Sequence, residues 1–125
     1  MGEEGVGVFE QRRLMREEAI RKAREYAEKV KAFIGKVSAV LVGSYARGDF
    51  NEWSDIDLLI VAEGVLGNPL ERMDYLLDRC PPPAGVEPII LTQTEYMRQK
   101  RLETPLFREA CGKGIVLVDD LGLFR

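Results

Sequence analysis

The chain has 125 residues with 18 basic and 21 acidic side chains, a net charge of −3 and no histidine. This length supports one domain, residues 1–125, around one core, and the mild acidity argues against nucleic-acid binding through a basic surface. Without histidine the commonest general base and transition-metal ligand are missing, so any metal is expected on oxygen ligands, which suits Mg²⁺ or Mn²⁺.

Residues 1–9, with three glycines and no helical period, read as a loose lead-in. From Glu10 to Ile34 the pattern is helical. Ile20, Ala23, Ala27, Val30 and Ile34 form one apolar stripe, and Glu18–Lys22 and Glu25–Lys29 are spaced for i,i+4 pairing. The interleaved acids make this a solvated, ion-paired face rather than a nucleic-acid-binding one. Val37 to Val42 is a short, β-branched strand. A Gly43-Ser44 turn and about one turn of helix, Tyr45 to Gly48, follow it. Asp49 to Ser54 is a polar loop in which Trp53 is expected to pack against the sheet edge, and Tyr45 is likewise expected to be packed. Ile56 to Ala62 is the second strand, and after Asp57 its apolar residues are continuous, as expected where both faces are covered.

Gly64 to Pro69 reads as a loop and Leu70 to Cys80 as a helix with Leu70, Met73, Leu76 and Leu77 on one face. Three prolines, Pro81 to Pro83, form a stiff spacer. Val86 to Leu91 is a third strand. Thr92 and Glu95 form a capping box before a helix to about Arg101. Thr104 caps another helix, Pro105 to Cys111, ended by Gly112 and Gly114. Ile115 to Val118 is the last strand and the remainder a tail. Cys80 and Cys111 lack metal-type spacing and are expected as free, buried thiols in a reducing cytoplasm. No apolar run approaches the roughly 20 residues of a membrane span, and the acidic N-terminus is unlike a secretory signal.

Two stretches carry the chemistry. In Val42-Gly43-Ser44-Tyr45-Ala46-Arg47-Gly48, a glycine-serine turn opens a short helix and can present backbone N–H groups to a phosphate. In Ser54-Asp55-Ile56-Asp57-Leu58-Leu59-Ile60-Val61, two acids head an apolar strand. Residues two apart on a strand face the same way, roughly 6.6 Å apart along it, a spacing suited to holding a hard cation. Arg47 lies one helical turn after Ser44. It can reach a phosphate or form an ion pair with Asp49 or Glu52. Glu87 is an acid inside an apolar strand, which costs free energy unless it is paired, bound to metal or at a sheet edge. Pro88 beside it lacks a ladder donor.

Together, an apolar strand, Gly43-Ser44, Arg47 and the Asp55-x-Asp57 pair on a second strand resemble the DNA polymerase beta-type nucleotidyltransferase superfamily. Within it the chain is similar to the minimal nucleotidyltransferases of the prokaryotic, antitoxin-like group, over about residues 37–118. The resemblance implies an α/β (α+β) fold, a small mixed sheet with helices mainly on one face forming a polymerase beta-like palm. It implies metal ligation by Asp55, Asp57 and, as third carboxylate, Glu87, all three catalytic, although many relatives have Asp at the Glu87 position. Gly43, Ser44 and Arg47 would bind a nucleoside triphosphate, such as ATP, with Mg²⁺ or Mn²⁺. Two functions follow: transfer of AMP to a protein or small-molecule acceptor, or service as an antitoxin that neutralises a helical partner of the HEPN type. Larger relatives carry a further helical domain, so a partner chain or homodimer is expected to complete the site.

Overall fold

The computed structural model describes residues 7–64 and 67–124. A long helix α1 (Val8–Ile34) leads into strand β1 (Val37–Val42), one-turn helix α2 (Ser44–Arg47) and strand β2 (Ile56–Ala62). Helix α3 (Pro69–Arg79), strand β3 (Val86–Thr92), helices α4 (Gln93–Leu102) and α5 (Pro105–Cys111) and strand β4 (Ile115–Asp119) follow. The mixed sheet has the order β3-β2-β1-β4, with β1 antiparallel to β2 and β4, and β2 parallel to β3.

Strand alternation assigns the two faces. Ala39 and Leu41 of β1 and Leu58 and Ile60 of β2 pack with Ala23, Ala27 and Val30 of α1, Tyr45 of α2 and Leu76 of α3. The intervening Val40, Val42, Leu59 and Val61 meet Tyr96 of α4, Ala110 and Phe107 of α5, and Leu121, Leu123 and Phe124 near the C-terminus. Helices α1, α2 and α3 therefore lie on one face, and α4, α5 and the folded-back C-terminal residues cover the other, so helices flank both faces where the sequence expectation put them mainly on one. This double cover is the reason β2 is apolar and buried without interruption from Leu58 to Ala62. β3, at the edge, alternates buried Val86, Pro88 and Ile90 with exposed Glu87 and Ile89. An edge position is where a strand tolerates proline. Both capping boxes form from local chemistry. Asn68 accepts from Glu71 N–H and Thr92 from Glu95 N–H, each with the reciprocal bond.

Several expectations are corrected. The expected lead-in overlaps helix: α1 begins at Val8, with Gln11 N–H donating to the Gly7 carbonyl, and residues 1–6 lie outside the described residues. Glu18 and Glu25 both bind Arg21, whose planar fork reaches back to one and forward to the other, in place of the lysine pairs. Trp53 is 84% exposed. Its loop closes on itself, Trp53 N–H donating to Asn51 Oδ1 and Asn51 N–H to Ser54 Oγ, which turns the ring to solvent. Phe50 takes the inner position and stacks on the buried Tyr45 at 4.5 Å. On α3, Leu70 and Leu77 are exposed, and the buried pair is Arg72 and Leu76, because Arg72 has a partner to turn toward in Glu95. Cys80 is half-buried and Cys111 exposed, both as free thiols. Asp119, expected in the tail, belongs to β4. Its carboxylate accepts from Ser38 Oγ and Leu123 N–H and folds the C-terminal residues back.

Candidate functional site

β1 delivers the glycine turn. Gly43 sits at φ +79°, a conformation L side chains rarely adopt, and a β-carbon there would strike the Asp57 carboxylate. The turn and the acid strand thus meet at the one residue without a side chain. α2 then rises from the turn, with Ala46 and Arg47 N–H both donating to the Gly43 carbonyl.

The other end of α2 is held from outside. Arg16 of α1 donates from Nε to the Tyr45 carbonyl at 2.8 Å and from Nη2 to the Ala46 carbonyl at 2.7 Å. Arg12 donates to the Gly48 carbonyl at 2.8 Å and lies over the Phe50 ring. Two cations thus satisfy the carbonyl end of a helix too short to fix its own direction. Sequence reading passed over both arginines. A trace was available, because Arg12 and Arg16 extend the buried Ala19–Ala23 line of α1 at the same spacing.

Asp57 occupies the second position of β2, half-buried on the α5 side of the sheet. It pairs in register with Val42 on β1 and with Glu87 on β3. In a sheet with strands roughly 4.8 Å apart, that register sets Glu87 beside Asp57 on one face. Asp55 lies just ahead of the strand. Burial pushes the Asp57 carboxyl above its ordinary value. Repulsion from Asp55, Glu109 and Glu87 adds to this, and Arg47 opposes it. Among the described residues no three acids converge closely enough, in the positions they adopt, to enclose an ion.

Glu109 is the residue that sequence reading missed. From α5, its Oε1 accepts from Gly43 N–H at 3.1 Å and from Arg47 Nη1 at 2.6 Å. Arg47 also binds Asp49 at 3.3 Å, one of its two expected partners, while Glu52 is not among its ion pairs. Nothing in the local pattern around Glu109 marks it, since it is one acid on a short helix. Glu95 and Asp119, two further acids near strand ends, are engaged elsewhere. Glu95 binds Arg72 and caps α4, and Asp119 ties down the C-terminal residues.

The raised Asp57 value has a consequence for stability. A carboxyl that binds its proton more tightly when folded favours the fold below its unfolded pKa. That contribution is lost as pH rises through the folded value. Wild-type protein without metal should therefore lose stability relative to Asp57→Asn as pH rises from below about 4 toward neutrality. Melting temperatures across that range check this, and parallel profiles for the two proteins would refute it.

Residues 21–104 match the model of the nucleotidyltransferase domain family. Two proteins of Methanocaldococcus jannaschii, provisionally named protein adenylyltransferases, are similar. One is 31% identical over 99 residues, covering 75% of this chain and 92% of that protein. The other is 39% identical over 56 residues, covering 43% and 38%. A crystal structure from Sulfolobus solfataricus, provisionally titled a nucleotidyltransferase, superposes with a TM-score of 0.62. It is 30% identical, covering 75% of this chain and 85% of that one. Among the described residues no helix is long and apolar enough to cross a membrane.

Proposed function

Because the chain belongs to the nucleotidyltransferase domain family, we propose that it transfers a nucleoside monophosphate, AMP from ATP, to an acceptor by metal-assisted in-line displacement. The observation that carries this is Asp57, set beside Glu87 by register, close behind Asp55, and touching the space above Gly43. The donor set is all oxygen, and the acids repel one another, so it fits a hard cation. Asp55, Asp57 and Glu87 would hold Mg²⁺ or Mn²⁺, drawn together from the positions they now adopt. Bound there, the metal would neutralise triphosphate charge and assist the attacking and leaving oxygens.

The chain's own residues supply positioning. Gly43 lets the phosphates approach the backbone, and Ser44 offers its N–H and hydroxyl. Arg47 supplies a fixed cation, and Arg12 and Arg16 keep α2 aimed. Transfer of this kind depends more on positioning and charge than on covalent chemistry. The names of the Methanocaldococcus relatives favour a protein acceptor. A helical partner of the HEPN type, suggested by the sequence resemblance, is the first candidate.

Calorimetry tests the reading. ATP should bind more tightly with Mg²⁺ or Mn²⁺ than without, and Gly43→Val should weaken binding about tenfold or more, because a branched side chain would stand between the phosphate and a backbone N–H that a charge-assisted bond needs and would strain a positive-φ position. Absence of ATP binding with either metal, partner present, would reject the function. Unchanged affinity in a folded Gly43→Val protein would reject the role of the turn. Mass spectrometry of candidate partners incubated with ATP and Mg²⁺ would identify the acceptor by the added AMP.

A further inference from the structure

The donors assigned to phosphate already hold an anion of the chain's own. The Glu109 carboxylate accepts from Gly43 N–H at 3.1 Å and from Arg47 Nη1 at 2.6 Å, the pair of contacts a phosphate oxygen would make. Beside it, between α2 and α5, lies a cavity of about 230 Å³ lined by Gly43, Arg47, Arg108, Glu109 and Lys113. Three cations around one acid make a setting in which a polyphosphate competes well with a single carboxylate. Glu109 is half-exposed, so its displacement into water costs little. It also adds to the repulsion on Asp57.

We propose that Glu109 is a displaceable stand-in for phosphate. A triphosphate enters by exchange, taking Gly43 N–H and Arg47 while the carboxylate swings out. The released side chain leaves the acid cluster less crowded. Glu109 thereby sets triphosphate affinity and ties occupancy of the turn to α5. This rests on the phosphate-binding reading of Gly43 and Arg47.

The test titrates inorganic triphosphate, without metal, into wild type, Glu109→Gln, Glu109→Ala and Glu87→Gln, with Gly43→Val as the control for the turn. Each variant is first checked for an unchanged fold. Glu109→Ala should bind about fivefold more tightly or better, the equivalent of one partly exposed ion pair, and Glu109→Gln should fall between it and wild type. Glu87→Gln removes a neighbouring charge without touching the donors and should gain much less. In wild type, the Gly43 amide resonance should shift on adding triphosphate. In Glu109→Ala it should start displaced. An equal gain in Glu87→Gln would reduce the effect to general charge removal and overturn the proposal. So would unchanged or weaker binding by the Glu109 variants while wild type binds, and weaker binding would make Glu109 a support for Arg47. No binding by any of the proteins would remove the phosphate reading itself, and this proposal with it.

Discussion

Asp57→Asn is expected to cut nucleotidyl transfer about a thousandfold or more, since several kcal/mol of charge stabilisation at the reacting phosphate depends on its carboxylate. The fold should survive, because the amide keeps the shape and removes a charge that burial and Asp55, Glu109 and Glu87 already disfavour. Combining Asp55→Asn, Asp57→Asn and Glu87→Gln should leave metal-free stability equal to or above wild type. The same protein should lose the Mg²⁺-dependent rise in melting temperature that mass action gives any ligand of the folded state. Glu87→Gln alone should depress turnover more than nucleotide affinity, if the third carboxylate serves the nucleophile's side. Transfer is read by mass spectrometry of the acceptor and stability by melting with and without Mg²⁺. A triple variant that still gained stability from Mg²⁺ would move the metal away from these residues. A triple variant less stable than wild type without metal would show the carboxylates to be structural.

The second large effect is on stability. Glu95→Ala is expected to cost about 3 kcal/mol, the scale for breaking one side of a buried ion pair. Arg72 is 4% exposed and binds Glu95 through both terminal nitrogens, at 2.7 and 3.2 Å. It also donates to the carbonyls of Gly67 and Ile90, and its Nε has no partner among the described residues. Removing Glu95 strands that cation and also breaks the capping box of α4. Arg72→Met should cost less, because it leaves an acid that still caps Thr92 and can be hydrated. Adding Arg72→Met to Glu95→Ala should recover part of the loss. Urea unfolding of the four proteins checks this. A cost for Glu95→Ala no greater than for Arg72→Met would contradict it. The Arg72 hydrogen bond, assisted by capping contacts from Thr92, holds the Glu95 carboxyl below its ordinary value. The stabilisation is therefore present above that ordinary value and disappears as pH falls through the folded one.

The division between sequence and tertiary structure follows the range of the forces involved. β1 and β2 lie where the runs Val37–Val42 and Ile56–Ala62 put them, since a short apolar β-branched run between turn residues has few alternatives. The Thr92–Glu95 and Thr104 caps were legible because a cap is a bond across three residues. The side of the sheet that Asp57 takes follows from strand alternation, and the Gly43-Ser44 turn from the only residue type at ease with its backbone. Other features depend on contacts that no local pattern carries. Glu87 faces Asp57 because β3 pairs parallel with β2 in one register, and Glu109 reaches Gly43 across 66 residues of chain. Arg16 meets α2 across 29 residues, and Arg72 turns inward, while Leu70 and Leu77 face solvent, because packing brings Glu95 within reach. Periodicity determines which residues share a face. Which charged groups meet across faces is decided only when the sheet and helices pack, because a buried charge takes its partner wherever packing supplies one.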